Sequence, residues 1–487
     1  MTDRPERSSR PDDEPAAAWP GTVGDDPSAP DALESPESVA MVPAGPIDVE
    51  AMVDSAAAMV PEQPVAAAEP PIPAQPLTRH PDILKLWSAE TISVFGTQVT
   101  QLAVPLVAAL ILDASPFEFA LLGTVQLLPF IFLSLPAGVW VDRLRRRPIM
   151  IAGDLGRAAL LATIPIAYAL DALTMLQLYA VGLAIGTFTV FFDVAYQSYL
   201  PSIVDRTQLV DGNSKLEISR AASQIAGPGL AGILIGAITA PLAILLDAVS
   251  FVGSALLLVW IRRPEATPEH PVDEHGRRTS MRHEIAQGLR YVIGNRSLRA
   301  IALTTGSTNL ITSMVFAIFV LYQVRELGLD AAAIGIILGL GNIGALVAAV
   351  TVGRVSARLG VGRTIVLAIA LDAPAAWLIA VAPASLPAPF LIGAGLLLGF
   401  ATIYYNVNQV SFRQAITPTA MQGRMNATMR FIVWGTIPIG SLLGGVLGET
   451  IGLREVIILG AVLSFVPLIP ILWSPVRAIR EMPEPAD

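Results

Sequence analysis

The chain has 487 residues, of which 53% are hydrophobic and only 15% are charged. Soluble domains carry roughly 25% charged residues, so this composition excludes an ordinary soluble globular protein and indicates a protein with many membrane spans. The absence of cysteine also excludes disulfide bonds, thiolate metal ligands and cysteine nucleophiles.

Residues 1–80 form an acidic segment that accounts for the negative net charge of the chain. The segment contains 15 acidic residues, 4 arginines and 15 prolines, and it has no apolar periodicity. Such a composition buries too little apolar surface to offset the entropy of ordering, so we expect a disordered cytoplasmic tail. Two roles stay open for it: a solvated tail of little consequence, or a docking or regulatory segment.

Twelve apolar runs follow, each about as long as the roughly 20 residues that a transmembrane helix needs. They predict an all-α integral membrane protein with an N-terminal six-helix bundle over 81–263 and a C-terminal six-helix bundle over 299–475. A cytoplasmic linker over 264–298 joins the bundles, and residues 476–487 form a C-terminal tail. The predicted spans are 84–112, 117–141, 148–170, 175–198, 216–238, 240–261, 299–324, 331–356, 364–383, 387–411, 427–448 and 453–474.

The linker contains an amphipathic pattern. Its apolar residues Ile285, Leu289, Val292 and Ile293 fall on one face of a helix. This spacing predicts a short helix that lies on the membrane surface.

A dense basic turn separates the second and third spans, with the sequence Gly138-Val-Trp-Val-Asp-Arg-Leu-Arg-Arg-Arg147. A weaker copy starts at Gly353, and matching residues such as Arg143 and Arg358 are 215 positions apart. The constant offset predicts two pseudo-symmetric halves that each carry the same turn.

The distribution of basic residues predicts the orientation, because lysine and arginine favour cytoplasmic loops. If both termini are cytoplasmic, the outer loops receive only Arg325 and Arg454. We therefore expect a multi-pass protein of the plasma membrane, the inner membrane in bacteria, with both termini in the cytoplasm.

The span count, the division into six and six, the central linker and the repeated turn together resemble the major facilitator superfamily. The turn from Gly138 to Arg147 is similar to the signature loop of that superfamily, although Arg145 stands where many members have glycine. Four further stretches resemble the branch of drug:proton antiporters that contains macrolide-efflux proteins and the enterobactin exporter. These stretches are Leu86 to Gly96, Asp154 to Arg157, Phe192 to Pro201 and Gln422 to Met425.

The resemblance implies that the turn is a conformational gate. Asp142 would lie against the N-terminus of the eleventh span, where a helix presents about half a positive charge, and Arg146 would pair with Asp193. The alternative is that the arginines only anchor the loop on the cytoplasmic side. The expected gate residues are Gly138, Asp142, Arg143, Arg146, Arg147, Asp193, Gly353 and Arg358.

Charged residues inside the spans are candidates for proton coupling, because such residues are costly in a membrane and are usually functional or paired. Glu90 and Asp372 are the better candidates, since burial disfavours the charged form of a carboxyl group. The alternatives are a structural ion pair for Asp154 with Arg157, and a hydrated helix end for Asp247. The candidates are Glu90, Asp154, Arg157, Asp247 and Asp372.

Amide side chains in the spans either line a central cavity or form hydrogen bonds between helices. The cavity candidates are Gln98, Gln101, Gln126 and Asn309. The sequence has no phosphate-binding loop, no metal-binding helix pattern and no nucleophile motif, so we expect no enzyme activity, cofactor, metal or nucleic-acid partner.

The expected function is secondary active export. A monomer in the lipid bilayer would expel a bulky amphipathic small molecule, such as a macrolide drug or a siderophore, in exchange for protons by alternating access. Two alternatives stay open. One is a metabolite importer or facilitator on the same fold, and the other is a membrane receptor or scaffold that does not transport.

Overall fold

The computed structural model describes residues 81–141, 143–203, 209–262 and 281–481. The acidic segment 1–80, Asp142 and the tail beyond Glu481 lie outside the described residues. Within the described ranges, twelve helices are long and apolar enough to cross a membrane, which confirms the all-α fold with twelve spans. The first six are α1 (Pro81–Leu110), α2 (Pro116–Val141), α3 (Arg146–Ala169), α4 (Met175–Ile203), α5 (Leu209–Ile238) and α6 (Ala240–Val259).

The second set follows a short helix in the linker, α7 (Met281–Gly294). Its first five spans are α8 (Arg296–Arg325), α9 (Ala331–Leu359), α10 (Val361–Val381), α11 (Pro387–Ala415) and α12 (Thr419–Thr450). The twelfth span, predicted as continuous over 453–474, is broken into α13 (Leu453–Leu463) and α14 (Leu468–Leu472).

The helix pairs within the two bundles correspond. α1 packs against α5 and α6, as α8 packs against α12 and α13, and α2 packs against α4, as α9 packs against α11. Two extensive helix pairs join the bundles, α2 with α12 and α5 with α9, and they are also related by the repeat. The sequence offset of 215 residues therefore corresponds to a repeat in the packing.

Alternate helices run in opposite directions, so the bundle has two ends. We call the end with residues 143–145 and α7 the linker end, and the end with loops 111–115, 326–330 and 451–452 the far end. Arg147 Nε donates to the carbonyl of Leu258 over 2.8 Å and its Nη2 donates to that of Val259. These bonds fix the start of α3 to the last turn of α6, where carbonyl groups lack helical partners.

Local chemistry sets several helix ends. Asn295 caps α8, because its side chain accepts hydrogen bonds from the backbone N–H groups of Ser297 and Leu298. In the second copy of the basic turn, Gly360 has φ +85°, a conformation that glycine adopts without strain. The matching residue of the first turn, Arg145, has φ −68°, so that turn does not need glycine there.

The predicted linker helix is present as α7, but it packs partly against protein. Val292 is buried, and the hydroxyl of Tyr291 donates to the carbonyl of Ile416 over 3.2 Å. Leu289 and Ile293 are exposed. Helix α7 therefore packs against the linker ends of α11 and α12 and keeps part of its apolar face outside the bundle.

The bundles touch closely at the far end. A Cβ atom on Gly335 of α9 would meet the carbonyl of Pro228 and the Cα of Gly232 in α5. A Cβ on Gly445 of α12 would come within 3.1 Å of Phe117 Cα in α2. Small residues thus allow backbone contact on both helix pairs that join the bundles.

Polar contacts reinforce the far end. Arg325 Nη2 contacts Asp113 Oδ1 at 2.5 Å and donates to the carbonyl of Ala114 over 3.0 Å. Glu449 at the end of α12 accepts a hydrogen bond of 3.2 Å from the backbone N–H of Phe117 at the start of α2. These contacts connect the two bundles at this end.

Candidate functional site

A polar cavity of about 360 Å³ lies among α1, α3, α4, α5 and α6 of the first bundle. Because charges are rare inside membrane bundles and usually functional, this cavity is the candidate functional site. Its charged residues are Glu90, Arg157, Asp193, Arg220 and Asp247.

Arg157 is held rigidly in the cavity wall. Its Nη2 donates to Asp154 Oδ1 over 2.6 Å, and its Cζ lies 4.3 Å from the ring centre of Phe192 and 4.2 Å from that of Phe251. Asp154 is fully buried and Arg157 is only 4% exposed. The pair is therefore an intrahelical ion pair, with the cation stacked between two aromatic rings.

Asp247 is also buried, and its carboxylate has two hydroxyl donors. Ser250 donates to Oδ1 over 2.9 Å, and Thr100 of α1 donates to Oδ2. These hydrogen bonds compensate part of the cost of burying the charge. They also join α6 to α1 at the base of the cavity.

Glu90 differs from these two acids. It is 8% exposed, yet none of the described residues donates a hydrogen bond to its carboxyl group. It lines the main cavity and also a neighbouring one of about 410 Å³, which extends along Tyr196 and Glu217 towards the linker end. Glu90 therefore lies between the polar cavity and the cavity that extends towards the linker end.

The predicted amide residues separate into two groups. Gln98 and Gln101 line the main cavity, and Gln126 lines an adjacent cavity of about 260 Å³. Asn309 instead donates through Nδ2 to the carbonyl of Val433 over 3.1 Å, between α8 and α12. The structure thus places Asn309 in a hydrogen bond between helices.

The predicted gate residues are spread over the linker end. Asp142 lies outside the described residues, and Arg143 and Arg358 are exposed. A Cβ on Gly138 or Gly353 would have no atom within 4 Å. Arg146 is half-buried at the start of α3. Asp193 is exposed on the wall of the polar cavity. Arg147 is bonded to the last turn of α6, as described above.

The remaining coupling candidate, Asp372, lies in the second bundle. It lines a small pocket between α8, α10 and α13. In sequence, Asp372 is far from the residues that line the polar cavity. The structure therefore divides the predicted acids between two sites.

One site residue was missed as such by the sequence analysis. Arg220 was not among the predicted site residues, but it lies about three turns into α5 and lines both cavities with Glu90. The signal was its position inside the predicted span 216–238, because a charged residue within a span is usually functional or paired. In the part of the chain that is described, no group of three His, Cys, Asp or Glu residues is placed to hold a metal ion.

Comparison with known proteins is consistent with this geometry. The family model described as Major Facilitator Superfamily matches residues 86–437, with a second match at 301–484. The sequence is 25% identical over 420 residues to an uncharacterized MFS-type transporter, YfiS, of Bacillus subtilis, which covers 83% of this chain and 96% of the relative. It is 26% identical over 413 residues to the multidrug efflux pump Tap of Mycolicibacterium fortuitum, with 80% and 96% covered.

Among solved structures, a bacterial homologue of the iron transporter ferroportin in its inward-facing state superposes with a TM-score of 0.67. The two sequences are 18% identical, and the alignment covers 82% of this chain and 99% of that one. At this identity the likeness concerns the fold.

The buried ion pair makes a testable prediction about stability. Asp154→Asn should leave the charge of Arg157 buried without its partner, which typically costs ~3–5 kcal/mol. We expect a clearly lower melting temperature for the purified protein, measured by intrinsic fluorescence in detergent.

The matched control is Asp113→Asn, which breaks the ion pair of Arg325 at the surface, where Asp113 is 93% exposed. Exposed pairs contribute at most ~1 kcal/mol, so its melting temperature should stay close to that of the wild type. Equal melting temperatures for the two variants would contradict a structural role for the buried pair.

Proposed function

The chain belongs to the Major Facilitator Superfamily, and on this basis we propose that it is a secondary active transporter that exports a bulky amphipathic small molecule in exchange for protons. Glu90 carries the proposal, since it is a buried carboxyl group that lines two adjoining cavities and has no hydrogen-bond donor in the described part of the chain. A carboxyl group in such a place takes up and releases a proton more readily than one that is fixed by donors.

The walls available to a substrate are chemically different. The first bundle presents the charged cavity around Glu90. A further cavity of about 310 Å³ reaches from Gln224 of the first bundle to apolar residues of the second, among them Phe316, Phe319 and Leu338. A molecule with a polar part and a bulky apolar part would match both walls.

The direction of transport is supported by the orientation and by the relatives. Of the described basic residues, Arg325 and Arg454 are at the far end, whereas the arginines of the turn at 143–147 are at the linker end. The positive-inside rule then makes the linker end cytoplasmic. The present conformation, closed at the far end, would accept a substrate from the cytoplasm, and relatives that are named multidrug efflux pumps favour release outside.

Exchange of substrate for protons follows if the substrate binds when Glu90 is ionised and leaves when Glu90 is protonated. A substrate that enters from the cytoplasm would displace the proton, and opening of the far end would let a new proton displace the substrate. Each ligand then shifts the equilibrium between the two conformations through its differential affinity.

The first test is Glu90→Gln, which keeps the shape of the side chain and removes its titration. Everted vesicles that are acidic inside would receive erythromycin or iron-free enterobactin, and proton release from the lumen would be recorded. We expect substrate-dependent release with the wild type and a signal at the level of protein-free vesicles with Glu90→Gln.

Glu217→Gln is the matched control. Glu217 is an exposed acid that lines the cavity extending towards the linker end but does not line the polar cavity. It should retain proton release. Release by Glu90→Gln at the wild-type rate, with equal amounts of folded protein, would refute the role of Glu90. No release by the wild type with either compound would weigh against proton-coupled export of these two classes.

The second test locks the far end. A Cβ on Gly236 of α5 would lie 3.8 Å from the Cβ of Ala332 in α9, a separation typical of disulfides. In this chain without native cysteine, the variant Gly236→Cys/Ala332→Cys should form one disulfide under oxidation. We expect complete loss of transport when it is oxidised and recovery after reduction with dithiothreitol.

The two single variants provide the controls, and both should transport with or without dithiothreitol. Full transport by the oxidised double variant, with disulfide formation confirmed by mass spectrometry, would contradict alternating access through opening of the far end.

A further inference from the structure

The twelfth span is interrupted inside the second bundle, at residues 464–467 between α13 and α14. Pro467 causes the break, because proline has no N–H group and its ring clashes with the carbonyl four residues earlier. Turn-like hydrogen bonds replace the helical ones there, from Val466 N to the carbonyl of Leu463 and from Leu468 N to that of Phe465. The carbonyl of Pro467 accepts a hydrogen bond of 3.0 Å from the hydroxyl of Thr304 in α8, so contacts within the second bundle stabilise the break.

The break borders the small pocket of Asp372, which has a volume of about 40 Å³. Its polar lining consists of Asp372 on α10, Thr308 and Thr312 on α8, and Ser464 at the break. The hydroxyl of Thr308 is buried without a hydrogen-bond partner. None of the described residues donates a hydrogen bond to Asp372, and no arginine or lysine lines the pocket.

Other elements packed around Asp372 do not supply a counter-charge. Tyr405 on α11 is the titratable neighbour, and its hydroxyl is already hydrogen-bonded to Thr305 at 2.5 Å. Asp372 is half-buried, and a carboxylate without a counter-charge inside a membrane bundle is unfavourable. A cation that enters the pocket would neutralise its charge.

We infer that the pocket of Asp372 is a binding site for a small monovalent cation, a sodium ion or a proton. The carboxylate of Asp372 and the hydroxyls of Thr308, Thr312 and Ser464 supply oxygen ligands in an otherwise apolar lining, and the negative end of the dipole of α13 favours a cation. In other transporters the C-terminal ends of broken helices coordinate sodium ions or protons. About 40 Å³ accommodates the ion with one or two waters, since one water needs roughly 10–15 Å³.

The site is placed to couple to transport, which is the one point where this inference rests on the proposed function. Phe316, Ile379 and Leu398 line both the pocket and the cavity between the bundles. An ion bound to Asp372 therefore lies one side chain away from that cavity. It is separate from Glu90, so the two bundles would each hold one titrating or ion-binding acid.

The test measures binding to the purified full-length protein in detergent, without any transported substrate. Bound ²²Na⁺ and the melting temperature are recorded in NaCl and in equal choline chloride, at pH 5.5 and pH 8.5. We expect the wild type to gain roughly 2–4 °C from saturating sodium, or to be more stable at pH 5.5 than at pH 8.5. Either response should be lost in Asp372→Asn.

Saturable ²²Na⁺ binding identifies sodium, and a pH response without sodium binding identifies a proton. Thr308→Val removes one ligand while keeping the shape of the side chain, so it should weaken sodium binding even if Asp372→Asn folds poorly. Asp171→Asn, in an exposed loop, is the matched control and should behave like the wild type. Sodium and pH responses that are the same in the wild type, Asp372→Asn and Thr308→Val would overturn the inference.

Because the assay contains no substrate, a negative result leaves the export proposal standing. A failure of export in vesicles likewise leaves the ion-binding measurement unaffected. The two proposals can therefore fail separately.

Discussion

The two bundles meet along two antiparallel helix pairs, α2 with α12 and α5 with α9, and the conformation depends on how closely these helices approach. Between helices in lipid, packing of small residues replaces the hydrophobic effect as the driving force. Gly232 and Gly335 remove the side chains that would separate α5 from α9 at the far end. The contact between α5 and α9 extends to Asn342, whose Nδ2 donates to the carbonyl of Gln224. Under alternating access, both pairs would act as pivots between one closed end and the other.

The helix pair α2 and α12 has an acid at the C-terminal end of each member. At the far end, Glu449 of α12 accepts a hydrogen bond from the first turn of α2, where the N-terminal end of the helix dipole favours a negative charge. Asp142 directly follows α2 in the sequence, and the gate predicted from the family resemblance would place it against the first turn of α12 at the opposite end. By the symmetry of the pair, each acid would stabilise one closed end, so the two contacts would alternate during transport.

Much of this architecture could be predicted from the sequence, because it depends on local and periodic signals. Hydrophobic length gave the twelve spans, and the offset of 215 residues indicated the repeat that the helix packing shows. The break at Pro467 was missed because Ser464 to Trp473 is as apolar as a continuous span, and hydropathy does not detect a missing backbone hydrogen bond. The bond from Asn309 to Val433 was also unpredictable, since an amide that lines a cavity and one that joins two helices look the same in a sequence.

The charges of the site show why tertiary contacts were needed to rank the acids. Asp154, Asp247, Glu90 and Asp372 all appear in the sequence as single acids within apolar runs. The structure gives Asp154 an arginine and Asp247 two hydroxyls, so their burial is largely compensated. Glu90 and Asp372 have no hydrogen-bond donor among the described residues, so under the two proposals each would take its ligand, a proton or another cation, from solution. A transporter that couples two ligands requires sites of this kind, because a charge that is permanently satisfied by the protein gives no binding energy to an ion.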